Sequence, residues 1–279
     1  MIKIIMHGCN GKMGQVITDL VRNEENAVIV AGIDQIDNRD NGYPVYKSLK
    51  ECDIDADVII DFTSAKAVDQ LLVDAKAKKL PIVLCSTGLS KEQLEQVEEA
   101  ANEIPILRSA NMSLGINTVM KLLQAATKIL AEAGYDIEIV ERHHNQKIDA
   151  PSGTALALAD TINEELNNEY KYVFDRSQVR EKRSKREIGL SAVRGGSIVG
   201  DHEIIFAGID EVIEIRHTAY SKAIFAKGAV EAAKFLAGKE PKLYNMNIKT
   251  IGDLAKTNKE LIIKKIGQEK YDSIVEKKE

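Results

Sequence analysis

The sequence predicts an α/β protein: a doubly wound parallel sheet first, then a second α+β domain built on an open mixed sheet. Three observations predict it. Through about residue 110, short apolar runs alternate with amphipathic stretches, the pattern of strands joined by helical crossovers. A glycine-rich turn stands between the first strand and the first helix. Further on, three strand-like runs follow one another with no helix between them, which points to an open, partly antiparallel sheet.

The elements follow in order. Residues 2–6 are a compact apolar run and read as a strand, 12–22 as an amphipathic helix and 27–33 as a strand. Residues 58–62, 82–85 and 104–108 read as further strands, separated by helices at 65–78 and 91–102. A helix over 116–133 leads to a strand at 136–141, a polar loop, and a helix from Ser152 to about 166. The consecutive strand-like runs are 188–193, 198–207 and 211–217, and a helix over 223–236 follows them. Domain boundaries fall near 112 and 222. In the tail, Leu261, Ile262 and Ile266 line one face of a helix that docks on the body.

Composition excludes several classes. Hydrophobic residues make up 44% of the 279 and aromatics only 5%, with no Trp, so the core is aliphatic. A net charge of -5 argues against a general nucleic-acid binder. Cys9, Cys52 and Cys85 are an odd, scattered set, which fits a reducing compartment better than a disulfide framework or a zinc site. No signal-peptide pattern precedes the first strand, and no apolar run approaches the ~20 residues of a membrane span. The expectation is a soluble cytoplasmic protein with no membrane or nucleic-acid partner.

Gly8, Gly11 and Gly14 punctuate the turn after the first strand. Glycines there permit a tight turn and let backbone approach a pyrophosphate at the positive end of a helix. Asn10 stands where a dinucleotide fingerprint has its second glycine. An ordinary glycine turn is the alternative. Asp34 ends the second strand, where a carboxylate accepts hydrogen bonds from both ribose hydroxyls of NADH and repels the extra phosphate of NADPH. Gln35 follows it, not a basic residue, although Lys12 and Arg39 can soften that repulsion. NADH is therefore expected to serve at least as well as NADPH. Two more loops, at Cys85, Ser86 and Thr87 and at Ser109, Ala110, Asn111 and Met112, sit at strand C-terminal ends, where open parallel sheets collect ligands. They are either ordinary turns or the border of the nicotinamide.

The segment 141–154 is the densest in chemistry. His143 and His144 are adjacent, with Lys147 close behind. Protonated histidine donates a proton or stabilises nearby negative charge near neutral pH, and lysine adds fixed positive charge. Adjacent side chains share a ligand only where the backbone is irregular, so a loop is expected here. Asp149 pairing with Lys147 to hold that loop is the structural alternative. Pro151 suits the first turn of the next helix. The N–H groups of Gly153 and Thr154, with the Thr154 hydroxyl, form either a carboxylate site or a plain helix start. A metal site is not expected, because the paired histidines lack ligand spacing and a nearby Cys.

These residues resemble the dihydrodipicolinate reductase (4-hydroxy-tetrahydrodipicolinate reductase) family of lysine and diaminopimelate biosynthesis. The landmarks are Gly8 to Gly14, Asp61-Phe-Thr63, Ser86-Thr-Gly88, Asn111-Met-Ser-Leu-Gly-Ile-Asn117, His143-His-x-x-Lys-x-Asp-Ala-Pro-Ser-Gly-Thr-Ala155 and Val193-Arg-Gly-Gly-x-Ile-Val-Gly-x-His202. The resemblance extends to about residue 247 and implies the following. Residues 1–112, completed by about 223–250, form a Rossmann-type dinucleotide-binding domain. Residues 113–222 bind a small cyclic dicarboxylate and build a homotetramer, and 251–279 form a helical tail beyond the usual family ending. His143 is the proton donor/acceptor with Lys147 as companion, and His144, Gly153 and Thr154 contact substrate. Gly8, Cys9, Asn10, Gly11, Lys12, Met13, Asp34, Cys85, Ser86, Thr87, Ser109, Ala110, Asn111 and Met112 border NADH or NADPH. Cys85 stands where the family commonly has Gly, and Met112 where it often has an aromatic residue.

Two other readings compete. Another two-domain nicotinamide dehydrogenase, of the semialdehyde type, needs a catalytic thiol, and Cys85 is the one in a suitable loop. A non-catalytic NAD-sensing regulator would use Arg176, Arg180, Lys182, Arg183, Lys185 and Arg186 on nucleic acid or an acidic partner. Asp175, Glu181 and Glu187 dilute that charge, and a solvated loop is the simpler account.

Overall fold

The computed structural model describes residues 1–246 apart from 110, 175, 178 and 179. The expected tail helix at 251–279 and the border residue Ala110 lie outside the described residues.

The first half is an α/β unit. Its strands are β1 (Ile2–His7), β2 (Ala27–Ile33), β3 (Val45–Tyr46), β4 (Val58–Asp61), β5 (Ile82–Leu84) and β6 (Ile106–Arg108). With β12 (Leu243–Tyr244) they make a seven-stranded sheet, in the order β12-β6-β5-β4-β1-β2-β3. Every ladder in it is parallel. Alternation of side chains decides what covers each face. Ile4, Met6, Val58, Ile60, Val83 and Leu107 point toward α1 (Lys12–Val21) and α6 (Ala223–Leu236). Ile5, Ile33, Ile59, Ile82, Leu84 and Ile106 point toward α2 (Ala65–Lys78) and α3 (Lys91–Ala100). Burial on both faces is why these strands read as unbroken apolar runs. The order reverses at β1, which lies between β4 and β2, so the glycine turn opens at the crevice where such sheets bind ligands.

The second half is built on five strands: β7 (Asp136–His143), β8 (Lys171–Val173), β9 (Glu187–Arg194), β10 (Gly200–Ala207) and β11 (Val212–Ala219). Their order is β11-β10-β7-β9-β8. β10 runs antiparallel to β7 and β11, while β9 is parallel to β7 and β8, a mixed sheet as expected. One face packs under α4 (Leu114–Glu132) and α5 (Gly153–Glu165) through Ile137, Ile139, Ile188, Leu190, Ile204 and Phe206. The opposite face carries Arg142, Asp201, Glu203 and Arg216 as an ion network.

Three strands were not anticipated: β3, β8 and β12. Each is two or three residues long, too short to show a period. Among the described residues no helix is long and apolar enough to cross a membrane.

The chain returns to the first sheet after β11, where α6 lies against α1, β4, β5 and β6. Gly228 makes that approach possible, since a Cβ on it would lie 1.7 Å from the Met112 carbonyl oxygen. Gly228→Ala is expected to lower stability by about 3 kcal/mol through overpacking against backbone that cannot yield. Chemical unfolding of the two proteins measures the difference, and an unchanged midpoint would refute the tight contact.

Candidate functional site

The glycine turn is held in place from three sides. Gly8 has φ +81°, a left-handed conformation, and its N–H donates to Ile33 O at 2.8 Å. A Cβ at Gly14 would lie 2.2 Å from Gly8 O, so α1 starts pressed against the turn. Asn10, the departure from the glycine pattern, is used as a strut. Its N–H donates to Asp34 Oδ2 at 2.9 Å, its side-chain amide donates to Ile36 O, and its Oδ1 accepts from Asn41 at 2.8 Å. Asp34 Oδ1 accepts from Ile36 N–H at 3.2 Å, so both carboxylate oxygens are oriented while keeping lone pairs free. The N-cap of α1, Gly11, makes no side-chain cap hydrogen bond. Its first N–H groups therefore remain available to a phosphate. These features fit a dinucleotide: backbone donors for the pyrophosphate and Asp34 for the ribose. Lys12 is exposed and Met13 half-buried beside them. Cys9 is different. Its thiol lies in the core against Gly32 and is pushed up to about 11, by burial first and then by Asp34, so only its main chain faces the turn.

At the ends of β4 and β5 a polar knot forms around Asp61, which is fully buried. His7 Nδ1 and the Thr63 hydroxyl meet its Oδ1, both at 2.7 Å, and the Ser86 hydroxyl donates to Oδ2 at 2.6 Å. Ser86 is thus turned inward, and Thr87 and Cys85 are the side chains of that loop that line the cavity described next. Burial, with Asp61 nearby, pushes the Cys85 thiol well above its ordinary value. A thiol held that way is a poor nucleophile, which weighs against the semialdehyde-type reading.

A cavity of about 540 Å³ joins the two halves. From the first sheet come Cys85, Thr87, Ser109, Asn111 and Met112, and from the second come His143, His144, Lys147, Gly153 and Thr154. Ten of the expected site residues therefore share one space. Gly8 to Met13, Asp34 and Ser86 do not line it; the first seven group at the ends of β1 and β2. Asn111 is the tie between halves. Its Nδ2 donates to Thr154 Oγ1 at 3.0 Å while its Oδ1 accepts from Ser113 N–H at 2.8 Å. Asp149, Ser152, Phe62, Phe225, Val199 and Lys222 complete the lining, and none of these six was expected among the site residues.

β7 runs two residues beyond the expected end at Glu141, because His143 pairs with Arg194 in the parallel ladder with β9. His143 is a strand residue and not a loop residue. Period-two alternation therefore continues the row Ile137, Ile139 into Glu141 and His143. Glu141, 1% exposed, is a carboxylate in a core position. It accepts from His143 Nδ1 at 2.6 Å, from Ser152 N–H at 2.9 Å, and from both terminal nitrogens of Arg194 at 2.6 and 2.7 Å. Burial opposes its ionisation, but the Arg194 and His143 hydrogen bonds outweigh this and hold it below the ordinary carboxyl value. Lys147 sits at the rim, ion-paired with Asp149 at 2.8 Å, so the loop-holding pair is formed by a lysine that also lines the cavity. The Lys147 hydrogen bond, against burial and with help from the Gly153 N–H, holds the Asp149 carboxyl below its usual range.

Pro151 is displaced from the expected first turn. Ser152 is the N-cap of α5, its hydroxyl accepting from Ala155 N–H at 3.1 Å, so Pro151 precedes the cap, after a cis Ala150–Pro151 bond. The Ser152 hydroxyl also meets His202 Nε2 at 3.0 Å, and the His202 ring stands edge-on to His143 at 5.2 Å. Sequence reasoning assigned no role to Glu141, Arg194 or His202. The available signal was an acidic residue in register with Ile137 and Ile139.

The arginines at 176, 183 and 186 are engaged. Arg176 and Arg183 pair with Glu138, Glu187 and Asp136, and Arg186 with Glu169. These internal pairings weaken the nucleic-acid alternative.

Comparison with known proteins decides the family. The description "Dihydrodipicolinate reductase, N-terminus" matches residues 2–112, and "Dihydrodipicolinate reductase, C-terminus" matches 115–248. The chain belongs to the dihydrodipicolinate reductase family. A 4-hydroxy-tetrahydrodipicolinate reductase of Caldanaerobacter subterraneus subsp. tengcongensis is 52% identical over 88% of this chain and 97% of its own length. One from Clostridium novyi is 49% identical over 88% and 97%. Among solved structures, the dipicolinate-bound dihydrodipicolinate reductase of Paenisporosarcina sp. TG-14 superposes with a TM-score of 0.74 at 26% identity, covering 90% of this chain and 99% of that one. The paired histidines, Lys147 and the start of α5 all lie in the stretch matched to the reductase C-terminal half.

Burial first, then the neighbouring His143, pushes the His202 imidazolium down from its ordinary 6.5 to about 4. The unfolded chain therefore takes up a proton that the folded chain refuses as pH falls from 6.5 toward 4, and stability drops across that window by up to about 3 kcal/mol. Glu141, with an ordinary value of 4.5, adds its own loss only below that pH. Unfolding midpoints between pH 7 and 5 are expected to fall in the wild type and to fall less in His202→Asn; equal slopes would contradict the buried neutral histidine.

Proposed function

We propose that this reductase-family member catalyses the NAD(P)H-dependent reduction of 4-hydroxy-tetrahydrodipicolinate to tetrahydrodipicolinate in lysine and diaminopimelate biosynthesis, the 4-hydroxyl leaving as water and the resulting conjugated ring taking up the hydride and a proton. The observation that carries this reading is the cavity that sets His143, His144, Lys147, Gly153 and Thr154 opposite the loops after β5 and β6. The relatives' shared name and the dipicolinate in the solved relative support a small cyclic dicarboxylate as substrate.

The first unit, with α6 and β12, holds the cofactor, and the five-stranded unit holds the substrate. Gly8 to Met13 cradle the pyrophosphate, Asp34 takes the ribose hydroxyls, and Cys85 to Thr87 with Ser109 to Met112 border the nicotinamide. A bound nicotinamide supplies the hydride. The Gly153 and Thr154 N–H groups at the start of α5, with His144, grip one substrate carboxylate and fix the ring. Lys147 exchanges Asp149 for that substrate. His143 donates a proton from Nε2, the ring nitrogen turned away from Glu141, and with Lys147 offsets the electron density that gathers on the substrate nitrogen. Phe62, Met112 and Phe225 exclude water from the same space.

We assign the assembly to a homotetramer in the cytoplasm, without membrane or nucleic-acid partners. The uncovered face of the five-stranded sheet supports self-association, for it keeps Asp201 buried among Arg142, Arg216 and Thr218, with the exposed Val212 further along the same row of β11.

A coupled assay that generates the substrate with a synthase and follows NADH loss tests the reading. His143→Ala is expected to lower kcat by about a hundredfold or more. Lys147→Ala is expected to lower kcat strongly too and to raise KM. Wild-type activity without either loss would mean that the catalytic pair is misassigned. From Asp34, kcat/KM with NADH is expected to equal or exceed that with NADPH, and a hundredfold preference for NADPH would overturn that assignment.

A further inference from the structure

We propose that Glu141 is a positioning residue that locks the proton donor and the carboxylate cradle into one rigid unit, with Arg194 as its dedicated counter-ion. The proposal rests on the reading of His143 as the proton donor and goes beyond it.

The geometry is specific. Glu141 Oε2 meets His143 Nδ1 at 2.6 Å, and Oε1 accepts from Ser152 N–H at 2.9 Å. Ser152 caps α5, so its N–H sits immediately before the Gly153 and Thr154 N–H groups that the proposed function assigns to a substrate carboxylate. One buried side chain thus sets both the plane of the acid and the entry of the anion-binding helix. Arg194 bridges both oxygens and also donates to Asp149 O at 2.6 Å, which ties the Lys147 loop to the same point. Its three partners lie on two strands and a helix start, and they include the proposed proton donor and the cap of the anion-binding helix.

The ionic setting enforces a direction. The charged and titratable groups around the His143 ring include Glu141 on its own strand, Arg194 on β9, His202 on β10, and His144, Lys147, Asp149 and Lys222 around the cavity. Glu141 is the negative group in hydrogen-bond contact with the ring. A carboxylate at Nδ1 keeps the proton of the neutral ring on that nitrogen and presents Nε2 outward, the arrangement in which Nε2 is reloaded and discharged without ring rotation. Arg194 keeps Glu141 ionised so that it remains an acceptor.

Glu141→Gln tests this in the full-length protein, through two readouts. The first is independent of catalysis. Nitrogen-15 NMR of the imidazoles, with His143 assigned by comparison with His143→Asn, is expected to show the Nδ1–H tautomer in the wild type and its loss in E141Q. The second is kinetic. E141Q is expected to lose about a hundredfold in kcat and to raise KM for the dicarboxylate, while its Kd for NADH stays at the wild-type value. Wild-type tautomer and kcat in E141Q, with H143A still impaired, would overturn the positioning role and leave the proposed function standing. If the wild type fails to reduce the substrate, the functional reading falls, and the NMR result alone still decides the Glu141 contact. Should E141Q fail to bind NADH, Glu141→Asp replaces it. The shorter arm keeps the charge but cannot reach both His143 and Ser152, so KM is expected to rise severalfold, and wild-type KM and kcat would count against the proposal.

Discussion

The site depends on a carboxylate placed where the sheet calls for a hydrophobe. β7 sends alternate residues under α4 and α5, and that row passes from Ile137 and Ile139 directly into Glu141. Burying an ionised carboxylate costs several kcal/mol unless its lone pairs are filled. Here they are filled by Arg194, His143 and the Ser152 N–H, and each partner is thereby fixed in turn. Arg194 holds the Asp149 carbonyl, Ser152 caps α5, and His202 packs between Ser152 and His143. A single buried charge organises the polar end of the second core. Its desolvation is the reason both of its oxygens are engaged, each by Arg194 and by one further donor.

The two halves meet through backbone as much as through side chains. Gly228 admits the Met112 carbonyl, and Asn111, whose own carbonyl is held by Asn117, reaches across to Thr154. The loop after β6 therefore belongs to both units at once. It leaves the first sheet at Arg108, takes its place against α6, and anchors the start of α5. This explains why residues expected to border a nicotinamide, notably Asn111 and Met112, carry structural bonds as well as lining the cavity.

Much of this was legible beforehand, for physical reasons. Strands buried on both faces, such as Val58–Asp61, are unbroken apolar runs, and helices such as Ala65–Lys78 show their stripe; both announce themselves locally. The glycine turn did so as well, because Gly8 and Gly14 meet backbone that no Cβ tolerates. What escaped was non-local. The ladders of Val45–Tyr46 and Leu243–Tyr244 exist because a neighbouring edge offers N–H and C=O groups, not because two residues have a propensity. Arg194 and Glu141 lie far apart in the chain and become partners only when β9 takes its place beside β7. Pro151 was misplaced by one step because the Ser152 hydroxyl, a better cap, moved the helix start past it.

The Lys147 loop shows how a structural and a functional reading of one ion pair become the same statement. Asp149 lies against Lys147 and near the Gly153 N–H, the groups assigned to a substrate carboxylate. A lysine at a cavity rim without a partner would carry an unbalanced charge into a space bordered by His143, His144 and Lys222. Asp149 balances it locally, and because its side chain is 59% exposed it leaves at little desolvation cost. Within the proposed function, substrate binding is an exchange of one carboxylate for another, so the net charge of the cradle hardly changes. The affinity then comes from the second carboxylate and from the ring, which Asp149 cannot imitate. That selects a rigid cyclic dicarboxylate over a single anion by the number of groups it satisfies at once.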